Sequence, residues 1–176
     1  MTQLTDYIAA VPDFPKPGIL FRDITPLLAK PEAFNICLDQ LQDRAVHYAP
    51  THIVGIESRG FIFGAPLARQ LHLPFVPVRK PGKLPRAIRS VTYELEYGED
   101  TLCVHRDDLP EGARVLVVDD LLATGGTASA CGSLIHQAKA EVVCFLFVIE
   151  LSGLPGRSRL NATGTSASPI EALITY

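Results

Sequence analysis

Apolar side chains along residues 31–48 recur at Phe34, Cys37, Leu38, Leu41, Ala45 and Tyr48, a three-to-four spacing that gathers them on one helical face, with Pro31 suited to the first turn. An amphipathic helix is predicted there. Residues 52–57 (HIVGIE) form a short apolar run, 60–72 read as a second helix, and 74–78 are strand-like again, which gives a β-α-β order. A Pro/Gly-rich basic stretch follows. Val91, Tyr93, Leu95 and Tyr97 then alternate with polar residues as a half-exposed strand does. Gly98, Glu99 and Asp100 are expected to turn the chain, and 101–105 to return as the partner strand of a hairpin projecting from the sheet.

Residues 114–119 (RVLVVD) are apolar until they reach their acids, the pattern of a strand buried on both faces of a parallel sheet. A Gly/Thr turn leads into 127–140, which offers Ala128, Cys131, Leu134, Ile135 and Ala138 on one helical side, and 142–150 is another fully apolar strand. Two β-α-β units predict an α/β fold with a central, mostly parallel sheet flanked by helices and with right-handed crossovers. Ligands on such sheets bind outside the carboxyl ends of the strands. The turns that follow strands are therefore the informative ones.

The 176 residues are 47% hydrophobic and 20% charged, enough to bury one core and remain solvated, so a single domain over 1–176 is expected and a wholly disordered chain is excluded. The longest apolar run, 142–149, has eight residues against the roughly 20 of a membrane helix, and Asp6 and Asp13 interrupt the N-terminus where a secretion signal is apolar. Neither membrane association nor secretion is expected. A net charge of −3 gives no global attraction to nucleic acid, so any anion site must be local. Cys37, Cys103, Cys131 and Cys144 show no C-x-x-C spacing, which predicts reduced structural thiols in a cytoplasmic protein. The five histidines share no spacing, and no G-x-S-x-G elbow occurs.

Val117 to Thr127 (VVDDLLATGGT) is an apolar strand, two acids, and a small-residue turn opening a helix. Gly125 and Gly126 let backbone approach an anion, Thr124 and Thr127 add hydroxyls, and the helix start supplies N–H groups and a positive dipole end. That makes a phosphate cradle. Asp119 and Asp120 beside a phosphate make sense if they accept hydrogen bonds from vicinal ribose hydroxyls. Neither G-x-x-x-x-G-K-[ST] nor G-x-G-x-x-G is present.

This eleven-residue stretch resembles the donor-binding motif of the type I phosphoribosyltransferases. Four more segments, 21–26 (FRDITP), 55–61 (GIESRGF), 79–85 (RKPGKLP) and 93–98 (YELEYG), stand in the order seen in the adenine-using branch of that family. The resemblance covers about residues 11–160. It implies the family's fold, with a small N-terminal hood over about residues 1–30 and a flexible hairpin or loop over the site. It implies purine salvage: transfer of 5-phosphoribosyl from 5-phospho-α-D-ribose 1-diphosphate (PRPP) to adenine, giving AMP and diphosphate. Ribose and 5-phosphate fall to Asp119, Asp120, Ala123, Thr124, Gly125, Gly126 and Thr127. Diphosphate falls to Arg59, Arg79, Lys80 and Lys83, adenine to Leu20, Phe21, Arg22 and Leu151, and acid/base duty to Glu96. Mg2+ is implied mainly on PRPP oxygens and water, with no metal ligands assigned to the chain, and a homodimer is implied as the assembly.

By residue chemistry alone, Arg79, Lys80, Lys83, Arg86 and Arg89 suit either a solvated basic loop or an electrostatic clamp, and Glu94 and Glu96 could simply balance them. The resemblance leaves Arg86, Arg89 and Glu94 without a role. Residues 150–152 (ELS) hold no lysine to serve a 6-oxopurine. Two alternatives stay open: the same chemistry on hypoxanthine, xanthine or orotate, and a non-catalytic regulator that senses PRPP. Cys103 stands where such enzymes often have an acid, and 161–169 is Ser/Thr/Ala-rich and fits no motif, which leaves the C-terminal pairing and any dimer edge unassigned.

Overall fold

The computed structural model describes residues 3–94, 98–162 and 168–176. Two compact units divide the chain, 1–40 and 41–176. In the first, a 3₁₀ turn at Leu4–Tyr7 precedes β1 (Ala9–Val11), which pairs antiparallel with β2 (Phe21–Asp23). Asp13 Oδ1 accepts the Gly18 N–H at 2.7 Å, and Phe14 meets Phe21 edge-on with ring centroids 5.1 Å apart. At the start of α1 (Thr25–Leu28), Asp23 accepts the Thr25 N–H at 2.9 Å and its hydroxyl at 2.7 Å. This short hairpin is the segment expected to form a hood. α2 (Pro31–Ala45) begins in this unit.

In the second unit, β3 (His52–Ile56), α3 (Gly60–Leu71) and β4 (Phe75–Val78) form the expected first β-α-β. A hairpin, β5 (Ile88–Glu94) with β6 (Glu99–His105), is followed by β7 (Arg114–Leu122), α4 (Gly126–Gln137), β8 (Glu141–Glu150), α5 (Gly156–Ala162) and β9 (Ile170–Thr175). The sheet is parallel throughout, in the order β4-β3-β7-β8-β9. Its central strands are apolar on both faces because helices or the hairpin cover both, and Val115, Val117, Cys131, Leu134 and Leu102 share one fully buried core.

Three sequence expectations are corrected. β7 runs on through both acids to Leu122, since Leu121 and Leu122 continue the ladder against Ile149 and Glu150. α4 stops at Gln137 rather than 140, because Lys139 turns left-handed (φ 58°) and Ala140 N–H closes back on Ile135 O at 3.1 Å. Glu99 and Asp100 belong to β6, not to the turn, with Asp100 opposite Tyr93. As expected, the hairpin forms a two-stranded sheet of its own outside the five-stranded one, and it packs down firmly: Leu102 and Val104 of β6 are fully buried, Val91 and Tyr93 of β5 pack on the core, and Arg79 bridges to Cys103 by paired backbone hydrogen bonds. At the other sheet edge α5 and β9 flank the segment 161–169 that fits no motif, of which 163–167 lie outside the described residues. Glu171 of β9 holds Arg44 and the Tyr48 hydroxyl, the latter at 2.7 Å, which ties that edge to the end of α2.

Candidate active site

The carboxyl ends of β3 and β7 and the start of α4 frame a cleft of about 340 Å³. Glycine decides its back wall. A Cβ on Gly60 would lie 2.7 Å from Val118 O, so only glycine lets the start of α3 approach β7 this closely. Gly125 stands left-handed (φ 78°) against Gly156 of α5, whose own Cβ would fall 2.3 Å from Ala123 O. No side chain caps α4, and its first intrahelical bond is Ser129 N–H to Gly125 O at 2.9 Å. The N–H groups of the first turn are therefore left for a ligand, at the positive end of a 12-residue helix. Thr124 and Thr127 line the same cavity.

Opposite this cradle, acids and cations are interleaved. Asp119 accepts the Asp120 N–H at 2.9 Å, and Arg59 Nε lies 2.9 Å from Asp120 Oδ2. That second contact is an ion pair off the line of a hydrogen bond, so Asp120 Oδ2 has no hydrogen-bond partner among the described residues. Burial, and then the Asp120 charge, push the Asp119 carboxyl well above its ordinary value; burial raises Asp120 too, against the pull of Arg59. Arg79 forks onto Glu57 (3.2 and 3.3 Å), which also accepts the Lys80 N–H at 2.9 Å. Those bonds hold Glu57 below the usual carboxylate range, the Lys80 N–H foremost. The Lys80 ammonium pairs with Asp100, and Tyr93 Oη sits 3.2 Å from both Asp100 Oδ2 and Thr127 Oγ1.

The structure thus gathers Asp119, Asp120, Ala123, Thr124, Gly125, Gly126, Thr127, Arg59 and Lys80 in one cleft. Arg79 stands just behind its wall through Glu57, and Lys83 lends its backbone carbonyl to Arg79 at 3.3 Å. Leu151 follows β8, its N–H donating to Leu122 O at 3.0 Å. Leu20, Phe21 and Arg22 lie in the first unit, Leu20 half exposed; Glu96 falls outside the described residues. Arg86 and Arg89 are engaged elsewhere, Arg86 with Asp108 at 2.8 Å and with His105, Arg89 with the Arg106 carbonyl. Sequence reasoning missed Glu57, Tyr93 and Asp100 as members of the site. Glu57 and Tyr93 stand within the segments 55–61 and 93–98 that carry the resemblance, a signal that could have found them, whereas Asp100 lies outside both.

Four carboxylates (Glu57, Asp100, Asp119, Asp120) against two cations (Arg59, Lys80) line the cleft. Among the described residues no group of three or more His, Cys, Asp or Glu is arranged to hold a metal ion. The residues fit a magnesium ion that arrives on an anionic ligand's oxygens, which offsets the acidic wall, better than one caged by the chain.

A Phosphoribosyl transferase domain model matches residues 26–163. The chain belongs to the phosphoribosyltransferase family. The adenine phosphoribosyltransferase of Trichodesmium erythraeum (strain IMS101) is 53% identical over 174 residues, 99% of each chain. The crystal structure of adenine phosphoribosyltransferase from Thermoanaerobacter pseudethanolicus superposes with a TM-score of 0.92 at 46% identity, over 98% of each chain. That of the Saccharomyces cerevisiae enzyme, complexed with an imino-altritol bisphosphate and adenine, gives 0.88 at 41% identity, over 97% of this chain and 96% of the other. Within this family's architecture the cradle sits where a parallel sheet presents its ligands. No described helix is long and apolar enough to cross a membrane.

Proposed function

We propose that the protein is a pentosyltransferase that moves 5-phosphoribosyl from PRPP to N9 of adenine, forming AMP and diphosphate in purine salvage. The observation that carries this reading is the cradle: an uncapped, glycine-opened α4 N-terminus facing two adjacent carboxylates in one cleft. A sugar bearing a phosphate at its far end satisfies both halves. Ala123 to Thr127 take the 5-phosphate, and Asp119 and Asp120 accept the ribose hydroxyls and so orient C1. Full-length likeness to adenine phosphoribosyltransferases supports adenine as the base.

In the reaction the C1–O bond to diphosphate breaks as N9 of the base closes on C1 from the opposite face, and the purine loses a proton. Positive charge develops on the ribose while diphosphate gains negative charge. In this reading Arg59, Lys80, Arg79 and Lys83 stabilise that leaving group, each cation that reaches it contributing on the order of a few kcal/mol where water is excluded. Mg2+, bound through PRPP oxygens and water, supplies further charge neutralisation there. Glu96 manages the purine proton, Phe21 and Leu151 cover the ring faces, and backbone groups near Leu20 and Arg22 read its edge.

A homodimer is the assembly this reading takes from the family resemblance. Four buried, unpaired cysteines support a reducing, cytoplasmic setting; burial pushes the Cys37 and Cys144 thiols up to about 12. Offered adenine, hypoxanthine and guanine together with PRPP and magnesium, the protein should yield AMP alone by mass spectrometry. IMP or GMP as the main product would reassign the base, and no nucleotide at all would favour a PRPP-binding regulator.

A further inference from the structure

The polar connection on the hairpin side of the cleft links cations to cradle through residues no role has claimed. Asp100 stands near the start of β6, ahead of its buried stretch, and is held by the Thr101 N–H at 2.8 Å, by the Tyr93 hydroxyl at 3.2 Å and by the Lys80 ammonium. Tyr93 has one proton. With Asp100 ionised that proton goes to the carboxylate, so the Thr127 hydroxyl, 3.2 Å away, donates its own to Tyr93 Oη. Two groups that an anionic ligand needs are therefore both engaged internally, the Lys80 ammonium on Asp100 and the Thr127 hydroxyl proton on Tyr93 Oη, itself bound to Asp100. Burial by itself would raise Asp100 and lower Lys80, but their mutual contact overrides it in both, which keeps the pair charged.

Resting on the function proposed above, we infer that Asp100 is an internal counter-anion: it holds Lys80 directly and Thr127 through Tyr93, and a bound diphosphate or phosphate must displace it. Asp100 is thus a positioning residue that weakens the cleft's grip on free phosphates and lets the diphosphate product leave. Its three donors fix it in place, so it competes with a ligand rather than following one. The opposite role, a carboxylate that aims Lys80 at the leaving group, predicts the opposite sign.

The test is calorimetric titration with inorganic diphosphate plus magnesium. Asp100→Asn keeps size and hydrogen bonding but removes the charge, and should tighten diphosphate about three- to fivefold, the range of a partly exposed ion pair. In a Lys80→Met background the same change should give no tightening. The KM for adenine should not move, whereas a merely structural loss would move every constant together. Should Asp100→Asn fail to fold, Tyr93→Phe carries the test: it frees the Thr127 proton and should tighten inorganic phosphate. Unchanged or weaker diphosphate binding by a folded Asp100→Asn, or unchanged phosphate binding by Tyr93→Phe, overturns the inference. No diphosphate binding by the unaltered protein would instead overturn the proposed function.

Discussion

Asp119 and Asp120 are adjacent carboxylates with one facing guanidinium, Arg59, which itself stays 41% exposed in its side chain. Such a pair opposes folding at neutral pH. A folded-state value raised above the unfolded one means that the carboxyl's stabilising contribution is complete below the ordinary Asp range and is lost as pH rises through the raised value. Asp119→Asn removes that loss while its side-chain oxygen can still accept the Asp120 N–H. The variant should melt higher than the natural protein at pH 7.5, by about 2–4 °C per kcal/mol recovered, and the gap should narrow as pH falls below the raised value and close in the ordinary Asp range. Turnover should drop by about 100-fold or more, because a ribose held loosely misplaces C1. Parallel melting curves and steady-state rates check both; unchanged kinetics would remove Asp119 from the site. The acids of the cradle were legible in the sequence because they sit beside their glycines. Asp100 and Glu57 were not, since their partners Lys80 and Arg79 are 20 and 22 residues away, and adjacency in the chain carries no trace of such pairing.

At the scale of elements, the cradle depends on α5 as much as on α4. Gly156 lets α5 abut the turn after β7, with Ala123 O and the Leu122 side chain filling the space a methyl would need. Gly156→Ala must push backbone against backbone, a strain of about 1–3 kcal/mol. It should lower the melting temperature and raise the KM for PRPP more than that for adenine; equal effects on both would mean α5 does not shape the cradle. Periodicity located β3, α3, β7, α4 and β8 to within a few residues because each buries a continuous apolar face. It was silent on α5 and β9. The segment before β9 is small and polar, and an edge strand with one buried neighbour shows a weaker pattern than a central strand. The hairpin was legible as two alternating strands, but its burial was not, since Cys103 and Val104 are covered by tertiary neighbours that alternation cannot reveal.

For the whole molecule, a net charge of −3 and a cleft wall richer in acids than in cations conflict with an anionic substrate only if charge is summed without geometry. The positive end of α4 and the clustered cations of the basic segment act over a few ångströms, and within that range placement outweighs the total. The parallel sheet brings β3 and β7 side by side, so residues 59, 80 and 119–127 converge although they are far apart in the chain. That convergence is what the β-α-β order foretold, and the resemblance named its ligand. The most direct measurement is titration calorimetry of PRPP with magnesium into the purified protein. One PRPP should bind per chain, in competition with diphosphate, and Asp119→Asn should weaken it. No heat of binding from a folded protein would contradict the reading of the cradle and everything built on it.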